Sequence, residues 1–497
     1  METADYSAAA AAFRRALAIT RGLPAGLGSP WTARWLSNLA QTEIELGHWD
    51  AAEKENDEAL ALKRKLPETG SEVYSIYNAA RIAAARRRFA DAEKLFAQAL
   101  REPAEDPTVL LDTQAGLADL YLKTKRPHNA DSEFRSTVAA IDRRSANLLK
   151  DEYKFSYLAS LIHFYKAYVG FLMANNRPLQ ALEVAESSRS RVLAARSGQL
   201  QSIESRTAAD YRRVAREANA ELLEYWIGEK QSYLWVVTAD RIRWVPLPAE
   251  AALRPLIESY RAVILAQRDP LTAARDTGRK LYDALLAPAV DAASGPARFI
   301  LVPDGELNSL NFETLPDGGA GRYWIERATI ALAPSLNYLA TGSRTRAPQA
   351  ARRLLLIGDP APALSQFPPL PFARQEMDSI ASAMRVSQPD ILRGSAARPD
   401  AYAKAQPGRF AFIHFSAHAL ANPESPLDSA VILSGTPETC KLFARDILPI
   451  RLNAELVTVS ACRGAGARTY EGEGPVGFAW AFLSAGARNV IAGLWDV

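Results

Sequence analysis

An α-helical solenoid followed by an α/β domain with a mostly parallel sheet is the fold class the sequence predicts, from two observations. Glycine and proline are unevenly spread: residues 1–200 hold only 8 of the 27 glycines and 7 of the 30 prolines among the 497 residues. The first part therefore reads as helical, and the rest as alternating strands, turns and helices. The second observation is an internal repeat confined to the helical part.

The repeat is a small residue, a large one four positions on, and then a small-large pair. It recurs as Ala9, Phe13 and Ala16-Leu17; Ala52, Asn56 and Ala59-Leu60; Ala92, Phe96 and Ala99-Leu100; and Ala130, Phe134 and Thr137-Val138. Successive anchor alanines lie 43, 40 and 38 residues apart, and a looser copy follows at Ala181, 51 further on. Preceding helices carry small residues in phase, as in Leu39-Ala40 with Gly47 and Leu117-Ala118 with Tyr121. The pattern resembles tetratricopeptide repeats, in which alanines let paired helices approach and an aromatic fills the gap between neighbours. The reading places these repeats in residues 1–200 and a charged amphipathic helical linker in 201–222. Such a solenoid offers a concave face to a partner protein. The first repeat shows only its second helix.

From residue 223 onward the grammar changes. Paired strands are expected at Ser232–Thr238 and Arg241–Leu247, then helices near 250–266 and 275–287. Apolar runs of strand length follow at Phe299–Pro303, Leu354–Gly358, Phe410–Ser416, Ala430–Leu433, Leu456–Ser460 and Asn489–Leu494, with helices at Ala373–Met384 and Val476–Ala485 between some of them. Continuously apolar strands alternating with helices imply a sheet covered on both faces, with its chemistry at the carboxyl ends of the strands.

Charge and cysteine content narrow the function classes. Lys plus Arg number 59 against 56 Asp plus Glu, a net charge of +3, and no like-charge block exceeds Arg86-Arg87-Arg88. Direct nucleic-acid binding is therefore not expected. The acidic N-terminus and the absence of an ~18-residue apolar stretch point to neither a signal peptide nor a membrane span, so the chain reads as cytoplasmic. Two cysteines and no Cys-x-x-Cys make neither a disulfide framework nor a structural zinc site, and no cofactor or metal is expected.

Only His414 and His418, of five histidines, share the C-terminal half with Cys440 and Cys462. The run 410–416 leads into Ala417-His418-Ala419, and the run 456–460 into Ala461-Cys462-Arg463-Gly464. If the two strands are neighbours, thiol and imidazole emerge on one edge as a nucleophile and base pair. A thiol is only a few per cent ionised at neutral pH, so His418 would take its proton and later protonate the leaving amine. The loop of Gly464 and Gly466 lets backbone N–H groups approach a carbonyl, and the N–H of Cys462 is a natural oxyanion donor. His414 and Ser460 are candidates for supporting roles, and Cys440, in a Thr-Cys-Lys turn, is incidental. The alternative is that Cys462 is a buried structural thiol and His418 a satisfied polar residue.

His418 and Cys462 lie 44 residues apart, and Ser460-Ala461-Cys462-Arg463-Gly464 is similar to the caspase signature with Ser in place of Gln. More widely, the C-terminal part resembles the CHAT domain, the caspase-like peptidase domain that accompanies tetratricopeptide repeats in bacteria. The resemblance rests on Leu223-Glu224-Tyr225-Trp226, Val302-Pro303-Asp304-Gly305, Ala333-Pro334-Ser335, His414–His418, Ser460-Ala461-Cys462 and Gly472-Glu473-Gly474 through Leu494-Trp495. It implies a cysteine peptidase of the caspase, gingipain and separase clan with His418 and Cys462 as its dyad. The family usually has glycine after the catalytic histidine; here Ala419 would supply that oxyanion-hole N–H.

The resemblance further implies a protein substrate and a regulatory partner on the repeats, such as a CRISPR or other defence effector. Family members continue past Val497, so the chain reads as clipped. The likeness of its last residues to separase suggests an acidic pocket of Glu471, Glu473 and Asp496 that would favour Arg or Lys before the scissile bond. A second function class is a scaffold, in which the solenoid is fused to an inactive caspase-like fold.

Overall fold

The computed structural model describes residues 6–23, 29–65, 72–102, 108–147, 151–196, 206–290, 298–317, 321–342, 353–361, 364–384, 388–462 and 464–495. It divides into two units, Met1–Leu148 and Leu149–Val497. The first unit is helical, with α1 (Tyr6–Arg21), α2 (Ser29–Glu45), α3 (Trp49–Lys65), α4 (Val73–Ala85), α5 (Phe89–Ala99), α6 (Thr108–Lys123) and α7 (Pro127–Asn147). The anchor alanines Ala52, Ala92 and Ala130 are fully buried, as are Phe96 and Phe134. Gly116 of α6 leaves room for the Phe96 ring, which would lie 2.7 Å from a Cβ there. In the one copy with no aromatic, Asn56 is buried and donates to the Ser75 carbonyl at 3.0 Å. Beside it, Ser37 and Ser75 hydroxyls meet at 3.0 Å and Asn78 donates to the Ser37 carbonyl at 3.1 Å. The helices here are joined by polar bonds where other repeats use a ring.

The turns within the helical pairs also repeat. Gly47, Arg87 and Lys125 have φ of +76°, +59° and +58°, and the next amide in each case reaches back five residues: His48 to Glu43, Arg88 to Ala83 and Arg126 to Tyr121, at 2.9, 2.8 and 2.8 Å. This left-handed closure, with amide and carbonyl five residues apart in each case, satisfies the last carbonyls of the first helix and turns the chain into the second. A side chain in that conformation carries about 1–2 kcal/mol of strain, against about 0.5–1 kcal/mol of extra unfolded-state entropy for glycine. Lys125→Gly is therefore expected to stabilise the helical unit by about 0.5–1 kcal/mol, read as a higher urea midpoint; a lower midpoint would contradict this account.

The second unit opens with α8 (Asp151–Ser160), α9 (Ile162–Ala174), α10 (Pro178–Ser187), α11 (Arg191–Arg196) and α12 (Ala208–Ala218). The looser repeat copy is the α9–α10 pair: Ala181 is buried and Asn176 takes the same left-handed turn at φ +55°. This pair lies within the residues 1–200 expected to hold the repeats, but on the far side of the division at 148. The physical reason is that residues 186–193 are bonded into the sheets that follow.

The chain then forms β1 (Glu221–Trp226), β2 (Ser232–Val237), β3 (Ile242–Leu247), α13 (Glu250–Leu265), α14 (Pro270–Ala273), α15 (Arg275–Leu285), β4 (Arg298–Val302), β5 (Thr329–Leu332) and α16 (Leu336–Gly342). The five strands make one mixed sheet in the order β3-β2-β1-β4-β5, with β1, β4 and β5 parallel. Leu223, Tyr225, Leu234 and Leu301 pack against Ile257 and Tyr260 of α13 and Leu281 of α15.

After these come β6 (Leu354–Gly358), α17 (Ala373–Ala383), β7 (Asp390–Arg393), α18 (Pro399–Lys404), β8 (Phe412–Ser416), β9 (His418–Leu420), β10 (Ala430–Ile432), β11 (Lys441–Phe443), α19 (Ala444–Ile447), β12 (Leu456–Ser460), β13 (Arg468–Tyr470), β14 (Gly474–Val476), α20 (Phe478–Ala485) and β15 (Val490–Ala492). A second sheet has the order β15-β12-β8-β6-β7 and is parallel throughout. One face, with Ile413, Phe415, Val457 and Val459, packs on Phe478 and Phe482 of α20. The other, with Leu354, Leu356 and Phe412, packs on Met377 and Ile380 of α17. Both faces being covered is why these strands are apolar without alternation. The run Ala430–Leu433, expected in this sheet, instead centres a small antiparallel sheet, β11-β10-β9.

Candidate active site

β8 and β12 are neighbours, and their register sets Ser416 opposite Ser460. His418 and Cys462 each follow that paired end by two residues, so the parallel register places both residues just past the same edge of adjacent strands. His418 begins β9, where it is paired with Ile432, and Ala419 is opposite Val431. Cys462 is partly buried, while Cys440 is buried among Ala430, Ile432 and Phe367.

The imidazole of His418 is held from one side. Its Nε2 lies 2.8 Å from the Pro368 carbonyl oxygen, and the Phe367 ring is 5.4 Å from it, centre to centre. A carbonyl only accepts, so Nε2 carries the proton and Nδ1 of the neutral ring is the basic nitrogen. Together with Pro360, Ala361, Leu370, Ile432 and Leu433 these residues line a cavity of about 10 Å³ beside His418, room for about one water. Sequence reasoning missed this support because a backbone carbonyl has no residue-type signature.

His414 lies four residues before His418, within β8, on the face toward α17. Its Nε2 is 3.1 Å from Glu376 Oε1, and the Ser416 hydroxyl donates to Glu376 Oε2 at 2.7 Å. Burial pushes His414 below its ordinary range, with Glu376 pulling the other way. A neutral His414 donating to Glu376 is thus a strut under the strand that leads to His418. Glu376, in a helix that gives no motif, was not foreseen.

On the Cys462 side, the Gly464 backbone folds back against Val459, whose Cγ1 would be 3.0 Å from a Cβ at that position, and Ala465 N–H donates to the Gly493 carbonyl at 2.9 Å. Ser460 is exposed at the strand end. The next segment, unforeseen in the sequence, is the β13–β14 hairpin, paired through Arg468↔Val476, Thr469↔Pro475 and Tyr470↔Gly474. Glu471 and Glu473 sit at its tip, about 10 Å of extended strand beyond its base. There Glu471 Oε1 lies 3.6 Å from Lys166 Nζ. Glu473 is buried and accepts from the Val192 amide at 3.2 Å, the Leu193 amide at 2.8 Å and the Trp480 indole at 2.8 Å. Both carboxylates of the expected acidic pocket lie at the hairpin tip, Glu471 facing Lys166 of α9 and Glu473 held by α11. Asp496 lies outside the described residues.

Burial raises the Glu473 carboxyl from its ordinary 4.5 to about 7, against the lowering effect of its three N–H donors. Below pH 4.5 the group is protonated in folded and unfolded chains alike; between 4.5 and about 7 only the unfolded chain ionises. Its contribution to stability therefore declines as pH rises across that window and is level above it, by at most about 3 kcal/mol. In chemical denaturation, Glu473→Gln is expected to flatten the loss of stability between pH 5 and 7.5; an unaltered slope would refute the assignment.

A family model described as the CHAT domain matches residues 275–497. The chain carries a CHAT domain. The match begins at α15, so that β1–β3 of the mixed sheet precede it while β4, β5 and the whole parallel sheet fall inside. CHAT is a caspase-like, peptidase-related domain, and the helices before it are tetratricopeptide-like repeats. Mouse tetratricopeptide repeat protein 28 is 26% identical over 272 residues, 44% of this chain, and the chain spans only 11% of that relative's length. Among solved structures, BtubC (BKLC) from P. vanneervenii aligns at 16% identity with a TM-score of 0.29, covering 42% of this chain and 80% of that one. No described helix is long and apolar enough to cross a membrane.

Proposed function

We propose that the chain is a cysteine endopeptidase in which Cys462 attacks a peptide carbonyl and His418 serves as base and then acid. The observation that carries this reading is the Ser416–Ser460 register, which delivers the two residues to adjacent strand ends, with the His418 Nε2 proton already on a carbonyl. In acylation Nδ1 takes the thiol proton, sulfur bonds to the carbonyl carbon, and the same proton passes to the departing amine. The Cys462 amide, with those of Gly464 and Ala419 as further candidates, would bind the oxyanion. The substrate is a protein segment, and the repeats, of a kind that mediates protein–protein contacts, would seat the partner that regulates it.

A chloromethylketone of an arginyl peptide tests the proposal on the full chain. The expected result is an adduct on the Cys462 peptide that is lost in Cys462→Ala. An adduct that persists in that variant, or none on the intact chain with partner present, would overturn it. A basic preference before the scissile bond now rests on Asp496 alone, and a peptide library cut only after other residues would remove it.

A further inference from the structure

We propose that the β13–β14 hairpin is a latch: the turn between α10 and α11 grips its tip, and this grip sets the position of the Cys462 loop at its base. The functional consequence rests on the peptidase reading above; the mechanics rest on contacts independent of it.

The tip is held on three sides. Ser190 N–H donates to the Gly472 carbonyl at 2.7 Å, and two and three residues on the Val192 and Leu193 amides donate to Glu473. Trp480, at the start of α20, donates to the same carboxylate. The Phe155 ring of α8 lies tilted 5.1 Å from that of Tyr470 and meets Trp480 edge-on at 5.2 Å. The fit is close: Gly472 has φ +79°, and a Cβ there would lie 2.7 Å from the Ser188 carbonyl. Ser190 itself adopts φ +50°, a conformation unfavourable for a side-chain-bearing residue, and it points the amide at Gly472.

The base is continuous with the nucleophile loop. Ala467 N–H donates to the Val476 carbonyl and Ala465 N–H to the Gly493 carbonyl, both at 2.9 Å. Gly466 is pressed against Gly477, whose Cβ, if present, would lie 2.7 Å from the Gly466 Cα. Between base and tip there are three register pairs, one of which has Pro475 with no N–H to donate. A hairpin this short is marginal alone, so its order comes from its two ends, and freeing the tip frees the base.

The gripping turn cannot yield by itself. Arg189, the neighbour of Ser190, is buried in the opposite direction: its Nε lies 2.9 Å from Glu224 Oε1 and its Nη1 donates to the Pro303 carbonyl at 2.9 Å. A displacement of α10 and α11 must therefore move the hairpin tip or break this anchorage.

The test uses the full chain with Trp480→Phe, which keeps the ring and removes one donor, and Glu473→Gln, which leaves the carboxylate's Val192 contact facing an NH₂ group. Hydrogen exchange is read at the Ala465 and Ala467 amides, and iodoacetamide alkylation at Cys462 with buried Cys440 as reference. The expectation is at least tenfold faster exchange, an altered Cys462 alkylation rate, and peptide turnover lowered at least tenfold in kcat with KM within about twofold. Should Glu473→Gln not fold, Trp480→Phe carries the test. Unchanged exchange at both amides in a folded variant overturns the latch, whatever the turnover. Faster exchange in a chain that never cleaves peptide supports the latch and overturns the peptidase reading instead.

Discussion

On the proposed peptidase reading, replacing His418 by alanine is expected to lower peptide cleavage by about 10³-fold, within the 10²–10⁴-fold range of a general acid–base group, with substrate binding little changed. Two steps lose their proton carrier: thiolate formation, and protonation of an amine that cannot depart as an anion. The second dominates for amide substrates, so a thioester or activated ester with a better leaving group should be cut with a much smaller deficit in His418→Ala. His418→Gln sharpens the result. Its amide can still donate to the Pro368 carbonyl, 2.8 Å from Nε2 in the present structure, yet it offers no basic nitrogen at neutral pH. If glutamine retained more than a tenth of the activity, the imidazole would not be the proton carrier. The measurement is kcat/KM for paired amide and ester substrates in the full chain, with Cys462→Ala as the baseline.

Arg189→Met is expected to destabilise the second unit by about 3–5 kcal/mol, the usual result of removing one partner from a buried ion pair. The guanidinium is buried and meets Glu224 at 2.9 Å and Asp304 at 3.5 Å. It also donates to the Pro303 carbonyl at 2.9 Å and to the Tyr225 carbonyl, and it lies 5.6 Å over the Trp226 ring. Burial pushes the Glu224 carboxyl well up and raises Glu186, with Arg189 opposing both shifts. Without the cation, Asp304 and two carbonyls lose their charged donor, and methionine fills the volume but supplies no N–H. Lysine does not rescue, because the contacts require a planar fork of donors and not a point charge. Urea denaturation followed by tryptophan fluorescence, which Trp226 reports, reads the effect. A loss under about 1 kcal/mol would mean that Glu224 and Asp304 find other partners.

Much of this molecule was legible in one dimension. Ala52, Ala92, Ala130 and Ala181 predict close helix approach, and each is fully buried, because only a methyl group fits where two helices touch. The apolar runs at 354–358, 412–416 and 456–460 are strands of one parallel sheet, because covering both faces leaves no polar side to encode. Cys462 and His418 could be picked out because their residue types are scarce and both follow such runs.

Other features left no local trace. Glu473 lies after the candidate nucleophile in the sequence and looks like a pocket acid; its partners are the amides of Val192 and Leu193, some 280 residues away. Arg189 carries no local signal of its surroundings and is buried between strand ends. The Pro368 carbonyl and Glu376 act on His418 and its strand through contacts that no spacing rule anticipates. Sequence by itself determined the local periodicities, hence the helices and the parallel strands, and singled out Cys462 and His418 as candidates for thiol chemistry, since each depends on near neighbours or on residue type. Tertiary structure alone decided which carboxylates are free to meet a substrate and what holds the imidazole, because burial and hydrogen-bond partnership are properties of groups brought together from distant parts of the chain.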